Sequence, residues 1–434
     1  MKSPHLSQYS QQRQPSAVRV AQIAFGNRQD TVEAINVGVG NVSLPMFSPM
    51  RDALFSLAND KSPFSKGVVK YSSSLGMPEA NEAFLHAISA SGFSTENLYS
   101  LITDGGSHAM ELVILATCGF IDSTDRPLLV IDPTYSNYRS FAQRVGRKVI
   151  SIARTLQDDG VFDFPSNQQL RDIIQKNNPS ALLIIPYDNP TGQFLSQERI
   201  NEIAQICADC DMWLISDEAY RELVYIGEQP SSVWGIDLNE NPSIEGKRIS
   251  IESTSKVWNA CGLRIGAIVT DSPELHEKVV YENTGNLCAS VVGQYVWSSI
   301  LDESFESLQN WFNEQRNYYK TIMDEITGEF KKLLPKIIIT QPQSALYSVV
   351  DVRNYAPTDF RSKDFVHFCA SEGAVEIDGT SYTLLIAPMV GFYDPDISPN
   401  HGNTQMRIAY VESPERMRLV SQLFKELLAQ YLNL

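Results

Sequence analysis

Five short apolar runs recur through the middle of this chain: Pro127–Ile131, Ala181–Pro186, Met212–Ser216, Arg248–Ile251 and Ile265–Thr270. Several give way to a polar cluster followed by a helical pattern. Apolar character at nearly every position, rather than at alternate ones, is expected of strands covered on both faces, the setting of a parallel sheet in a βαβ succession. Beyond about residue 300 the pattern changes to long amphipathic helices, Ser307–Phe330 and Glu415–Tyr431, with short strands between them, the last at Gln405–Val411. The expected fold is therefore α/β: a large domain with a mostly parallel sheet covered by helices on both faces, plus a smaller α+β C-terminal domain. At 434 residues the chain exceeds one ordinary core. The division expected is an N-terminal segment 1–45, a large domain 46–300 and a small domain 301–434.

A net charge of -16 spread along the chain argues against nucleic acid or anionic lipid, both of which are bound through clustered Lys and Arg. No apolar run approaches the ~18 residues of a membrane helix, and Met1–Ser16 is polar with no apolar core, unlike a secretory signal. A soluble, cytoplasmic protein is expected. Six irregularly placed cysteines form no disulfide framework. Cys207 and Cys210 make one Cys-x-x-Cys, but no second Cys or His pair has metal-ligand spacing, so a structural role is expected and no metal.

The polar clusters after the apolar runs are Asp132-Pro133-Thr134-Tyr135, Asp188-Asn189-Pro190-Thr191-Gly192, Asp217-Glu218-Ala219-Tyr220 and Ser253-Thr254-Ser255-Lys256. In open α/β sheets ligands bind beyond the carboxyl ends of the strands, so these clusters are expected to line one crevice. Asp104-Gly105-Gly106-Ser107-His108 precedes the helical run Ala109–Cys118, which offers free backbone N–H groups to an anion. Gly38-Val39-Gly40 opens like a dinucleotide fingerprint but has Ser43 where the third glycine belongs. The stretch Ser253–Gly266 is more specific, because it sets two hydroxyls and the Arg264 guanidinium around Lys256 at a strand end. A lone lysine there is ordinarily a solvated charge. With phosphate ligands beside it, it reads as a Schiff-base lysine held over a phosphorylated aldehyde.

In these residues the chain resembles the fold-type I pyridoxal phosphate enzymes, specifically the class I/II aminotransferases, from about Ile35 to about Val411. The motifs stand in the family's order: Tyr71 with Gly76, Gly106-Ser107, Tyr135, Asn189-Pro190-Thr191-Gly192, Asp217-Glu218-Ala219-Tyr220, Ser253–Gly266 and Arg407. The resemblance implies an aspartate aminotransferase-like fold, with pyridoxal phosphate in the large domain and residues 1–45 packing on the small one. It implies that Lys256 carries the cofactor and moves a proton, and that Asp217 pairs with the pyridine nitrogen. Tyr220 and Asn189 would bond the phenolic oxygen, and Tyr135 would stack on the ring. Ser253, Ser255, Arg264 and the backbone of Gly106 and Ser107 would hold the phosphate. Arg407, with the backbone of Gly40 and with Asn189, would bind the substrate carboxylate. Tyr71 matches a tyrosine that reaches the neighbouring subunit's phosphate, which implies a homodimer.

Two stretches depart from the family pattern. Ser344 replaces a usual glycine in Pro342–Tyr347, and Ala387–Phe392 replaces a Pro-Gly turn. Tyr393–Gly402 reads as a long surface loop, and no second arginine for a distal carboxylate is found, so the side-chain pocket stays undefined. The expected activity is transfer of an amino group between an amino acid and a 2-oxo acid. A lyase or cyclase on the same scaffold is the alternative, since the same carbanion serves both outcomes. A ligand-binding regulator is the non-enzymatic alternative, for which the short N-terminus leaves no room for a DNA-binding domain.

Overall fold

The protein is described by a computed structural model covering residues 4–11, 13–120, 126–227 and 229–433; of the N-terminal stretch 1–16, residues 1–3 and 12 lie outside it. In chain order the strands are β1 (Glu33–Asn36), β2 (Tyr99–Thr103), β3 (Leu128–Asp132), β4 (Val149–Ala153), β5 (Ala181–Ile184), β6 (Trp213–Asp217), β7 (Arg248–Ser253), β8 (Gly266–Thr270), β9 (Ile338–Ile339), β10 (Tyr347–Asp351), β11 (Val375–Ile377), β12 (Thr380–Leu385), β13 (Ala387–Pro388) and β14 (Gln405–Ala409). The central sheet has the order β2-β8-β7-β6-β5-β3-β4.

Five neighbouring strands, from β7 to β4, pair in parallel. Their continuous apolar character has the expected cause. Leu128, Val130, Ala181, Leu183 and Ile215 point into one core, with the helix Gly105–Cys118. Leu129, Ile131, Leu182, Ile184 and Leu214 point into the other, with the helices Pro78–Ala90 and Gln197–Asp209. Alternate residues of each strand are thus buried on opposite faces of the sheet.

β8 corrects the reading of Ile265–Thr270 as one of the parallel strands, because it runs antiparallel to both β7 and β2. A parallel return needs a crossover element. The segment 254–265 contains only the short 3-10 turn Cys261–Leu263, so the chain doubles back. Gly266 opens β8 against the start of the helix Gly105–Cys118. A Cβ there would stand 2.5 Å from the Gly106 nitrogen and 2.6 Å from the Gly105 carbonyl carbon.

Two smaller sheets follow, β1-β12-β11 and β13-β14-β10-β9. β1 pairs in parallel with β12, and the Ala409 amide donates to the Val37 carbonyl at 2.8 Å. The N-terminal strand is thereby built into the C-terminal sheets. The helix Phe305–Leu333 ties the two regions together: Trp311 Nε1 donates to the Val257 carbonyl at 3.0 Å, and further along Glu325 pairs with Arg418 at 2.7 Å. The expected single helix Glu415–Tyr431 is two, Pro414–Met417 and Val420–Leu432, with Met417 and Val420 both fully buried across the break. No helix of the described residues is long and apolar enough to cross a membrane. Cys207 is buried near the end of the helix Gln197–Asp209 and Cys210 caps it, half-buried.

Tyr393–Gly402 is not simply a surface loop. Tyr393 is buried and its hydroxyl donates to Gln405 Oε1 at 2.7 Å. The Asp394 amide donates to Asp132 Oδ2 at 2.8 Å, and Ser362 Oγ donates to the Gly402 carbonyl at 2.7 Å. Between these anchors Pro395, Asp396, Ser398 and Pro399 are exposed, while Asp394 itself is half-buried.

Candidate active site

The carboxyl ends of β3, β5, β6 and β7 open toward β10 and β14, and the side chains named from the sequence, Tyr71 apart, meet in that crevice. Asp217 is the last residue of β6. Its Oδ2 accepts from the Tyr138 hydroxyl at 2.5 Å and its Oδ1 from the Ala219 amide at 3.2 Å. Burial pushes this carboxyl above its ordinary range, with the Tyr138 and Ala219 bonds opposing the shift. No arginine or lysine forms an ion pair with it among the described residues.

Lys256 follows β7, and its Nζ donates to the Gly40 carbonyl. Tyr220 is buried, with its hydroxyl 2.7 Å from that of Tyr347 and 3.5 Å from Asn189 Nδ2. Asn189 Oδ1 accepts from Arg407 Nη1 at 2.8 Å, and Arg407 Nη2 donates to the Gly38 carbonyl at 2.8 Å. The guanidinium carbon of Arg407 lies 4.4 Å from the Tyr347 ring centroid and 5.0 Å from that of Phe392. Arg407 is 5% exposed and, among the described residues, its Nε has no partner. Gly40 has no space for a side chain, because its Cβ would collide with the Tyr347 hydroxyl.

At the other end of the crevice, Gly106 and Ser107 lie in the first turn of the helix Gly105–Cys118, which begins earlier than the sequence pattern implied and leaves their N–H groups free of intrahelical partners. The Arg264 guanidinium packs on Gly105. It donates to the Cys261 carbonyl at 2.9 Å and the Asp104 carbonyl at 3.5 Å, with no carboxylate partner among the described residues. Ser253 Oγ bonds Ser255 Oγ at 2.8 Å. Tyr135 stands edge-on to Tyr138, with ring centroids 5.4 Å apart. Burial pushes its hydroxyl up to about 12, well above the usual phenol.

Tyr71 is not brought into this cluster within the chain; it is 79% exposed. The sequence assigns no role to Tyr347, Tyr138, Gly38 or Phe392. Arg407 lies directly across from Val349, so Tyr347 is its diagonal neighbour on the same sheet face. That register is not written in either segment alone. Ser344 is fully buried and donates to the Gln193 carbonyl at 2.6 Å, fastening its stretch to the Asn189–Gly192 turn.

The cavity is chemically two-ended. A helix N-terminus, two hydroxyls and a guanidinium without a carboxylate suit an anion, and the buried carboxylate at the other end has no ion-pair partner among the described residues. A flat phosphorylated pyridine fits that polarity.

The architecture is the aspartate aminotransferase-like fold. The N-succinyldiaminopimelate aminotransferase of Mycobacterium tuberculosis superposes with a TM-score of 0.80 at 19% identity, covering 98% of this chain and 100% of that one. An aspartate aminotransferase variant of Thermus thermophilus gives 0.79 at 20% identity, over 98% and 100%. By sequence, the chain is 22% identical over 427 residues to the aspartate/prephenate aminotransferase of Thermus thermophilus, 98% of this chain and 99% of that protein. To the aspartate aminotransferase of Sulfolobus acidocaldarius it is 23% identical over 364 residues, 82% and 84%. Residues 34–409 match the family model of aminotransferase class I and II, and the chain belongs to that family. It is a pyridoxal phosphate-dependent aminotransferase, acting on amino acid and 2-oxo acid substrates.

Proposed function

We propose that the crevice is the transamination site and that its residues divide the work as follows. The observation that carries the reading is the two-ended polarity around Lys256: among the described residues, Arg264 at the Gly106–Ser107 end has only carbonyl partners, and the Asp217 carboxylate at the other end has no ion pair. Pyridoxal phosphate, when bound, supplies an aldehyde for an amine to condense with and a ring that accepts the electron pair of a broken α C–H bond.

Lys256 Nζ would anchor the cofactor and, once displaced, would carry the proton as general base and then acid from the substrate α-carbon to the carbon of the cofactor's aldehyde. Gly106, Ser107, Ser253, Ser255 and Arg264 hold the phosphate. Asp217, oriented by Tyr138, keeps the ring nitrogen protonated. Tyr220 and Asn189 hydrogen-bond the phenolic oxygen, and Tyr135 fixes the ring plane. Arg407, steadied by Asn189 and the Gly38 carbonyl, grips the α-carboxylate beside Gly40 and so aims the α C–H bond. Borohydride reduction of the reconstituted protein, followed by peptide mass mapping, tests this. The reduced cofactor is expected on the peptide containing Lys256, and label elsewhere with Lys256 unmodified would sink the reading.

The division into 1–45, 46–300 and 301–434 and a cytoplasmic location belong to the same proposal. So does a homodimer in which the exposed Tyr71 reaches the partner's phosphate. Mixed dimers of Lys256→Ala and Tyr71→Ala protomers carry both lesions in one site and neither in the other. Equal mixing of the two inactive variants is therefore expected to restore roughly a quarter of wild-type activity. Activity that stays at the sum of the separate variants would place Tyr71 outside the site.

Asp217→Asn gives a test with a sign. The native carboxyl is raised by burial, so in the cofactor-free protein its contribution to stability is fully present below the unfolded value of 3.8 and is lost as pH rises through the raised folded value. The cofactor-free variant is therefore expected to melt above wild type at neutral pH, with the gap closing in acid. Turnover is expected to fall by about 10²- to 10³-fold, as for loss of a preorganised electrostatic group. Parallel melting curves at all pH values would contradict the burial argument.

A further inference from the structure

Arg154 follows the last residue of β4 and turns its guanidinium inward, leaving it 5% exposed. In the order β4-β3-β5, it reaches across the end of β3 to the turn after β5. Nη1 donates to Asp188 Oδ2, Nη2 to the Pro133 carbonyl at 2.6 Å, and Nε to the Asp132 carbonyl at 3.3 Å. The Phe162 ring centroid lies 5.9 Å from the guanidinium carbon. Asp188 is also buried, and its Oδ2 accepts from Thr191 Oγ1 at 2.6 Å.

The two loops so joined carry Tyr135 and Asn189. The β3–β5 ladder runs only from Leu128 with Ala181 to Val130 with Leu183. Past that point, among the described residues, no backbone hydrogen bond ties 132–136 to 185–192. Neighbouring strand ends diverge once their ladder stops, so the gap between the Tyr135 ring and the Asn189 carboxamide is set by what bridges it. A planar guanidinium with five donors can hold a carboxylate and two carbonyls at once, which an ammonium cannot do in one plane.

We propose that Arg154, paired with Asp188, is a positioning residue that fixes Tyr135 and Asn189 relative to one another, and through Asn189 fixes Arg407. This rests on the site reading above. Arg154 touches neither substrate nor the reacting atoms; its effect passes through the two loops.

The test uses the holoenzyme in three forms: wild type, Arg154→Lys, and the double variant Arg154→Gln with Asp188→Asn. The double variant removes both charges together, so no buried charge is orphaned and the fold is kept. Each is titrated against pH by the visible band of bound pyridoxal phosphate, assayed for KM with a 2-oxo acid, and melted without cofactor. Asn189 donating to the phenolic oxygen favours its charged form, so a slackened loop raises the midpoint. An upward shift of about one pH unit is expected in both variants. KM is expected to rise several-fold, and the melting temperature of Arg154→Lys to stay close to wild type. Midpoint and KM unchanged in both variants, with only melting lowered, would make Arg154 a structural ion pair and overturn the proposal. A wild-type protein that never develops the visible band would strike down the underlying site reading, and the proposal with it.

Discussion

Lys256→Ala is expected to reduce turnover by at least about 10⁴-fold, the upper range of general acid–base contributions, because on the proposed reading the same nitrogen also anchors the cofactor. The protein is nevertheless expected to fold. Among the described residues, the only hydrogen bond of Nζ goes to the Gly40 carbonyl, and loss of one such bond costs about 1 kcal/mol. The informative measurement is therefore a pair: single-turnover kinetics with supplied pyridoxal phosphate, and a thermal melt. Dead enzyme with a near-native melt fits a lysine whose value is chemical. Residual turnover within tenfold of wild type would show that another group moves the proton. Among the described residues, no second lysine hydrogen-bonds to Asp217 or to the linked group of Tyr220, Asn189, Tyr347 and Arg407.

What could be read from the sequence was local. Asp217, Lys256 and Asn189 stand at or just past the ends of short apolar runs, and strand ends in an α/β sheet converge on one crevice whatever the strand order. The residues missed are those whose importance depends on partners distant in sequence. Tyr347 matters because β10 pairs with β14 in a register that sets it diagonal to Arg407. Tyr138 matters because the helix Asn137–Arg144 turns its hydroxyl under Asp217.

The strands missed have a similar cause. β2 and β4 lie at the two edges of the central sheet, where among the described residues one side has no neighbouring strand. Tyr99-Ser100-Leu101-Ile102-Thr103 and Val149-Ile150-Ser151-Ile152-Ala153 mix polar with apolar positions and lack the continuous signature of the inner strands. β8 is legible as a strand but its direction is not, because direction depends on the connection and not on the strand's own residues. Tyr393–Gly402 looked like a free loop because its Asp, Pro and Gly content marks irregular backbone. Composition of that kind does not reveal that the Asp394 amide is held by Asp132, 262 positions away.

Arg407→Ala is expected to raise KM for both the amino acid and the 2-oxo acid far more than it lowers kcat. Truncating one partner of a buried, hydrogen-bonded charge pair costs about 2 to 5 kcal/mol. At about 1.4 kcal/mol per decade, that is roughly 30- to several-thousand-fold in kcat/KM. The geometry explains why the loss falls mainly on binding. The guanidinium is buried, its donors are partly occupied by neutral oxygens of Asn189 and Gly38, its Nε is unpartnered, and no carboxylate pairs with it among the described residues. A substrate α-carboxylate is the anion that would complete it. The aromatic faces of Tyr347 and Phe392, 4.4 and 5.0 Å away, favour the cation without neutralising it. Arg407→Lys is expected to recover only part of the loss, because an ammonium retains the charge but not the two-pronged contact. Added guanidinium ion is expected to rescue Arg407→Ala in proportion to its concentration. Unchanged KM values for carboxylate substrates in Arg407→Ala would mean that the acid group is bound elsewhere, and that the buried charge serves only to hold Asn189 in place.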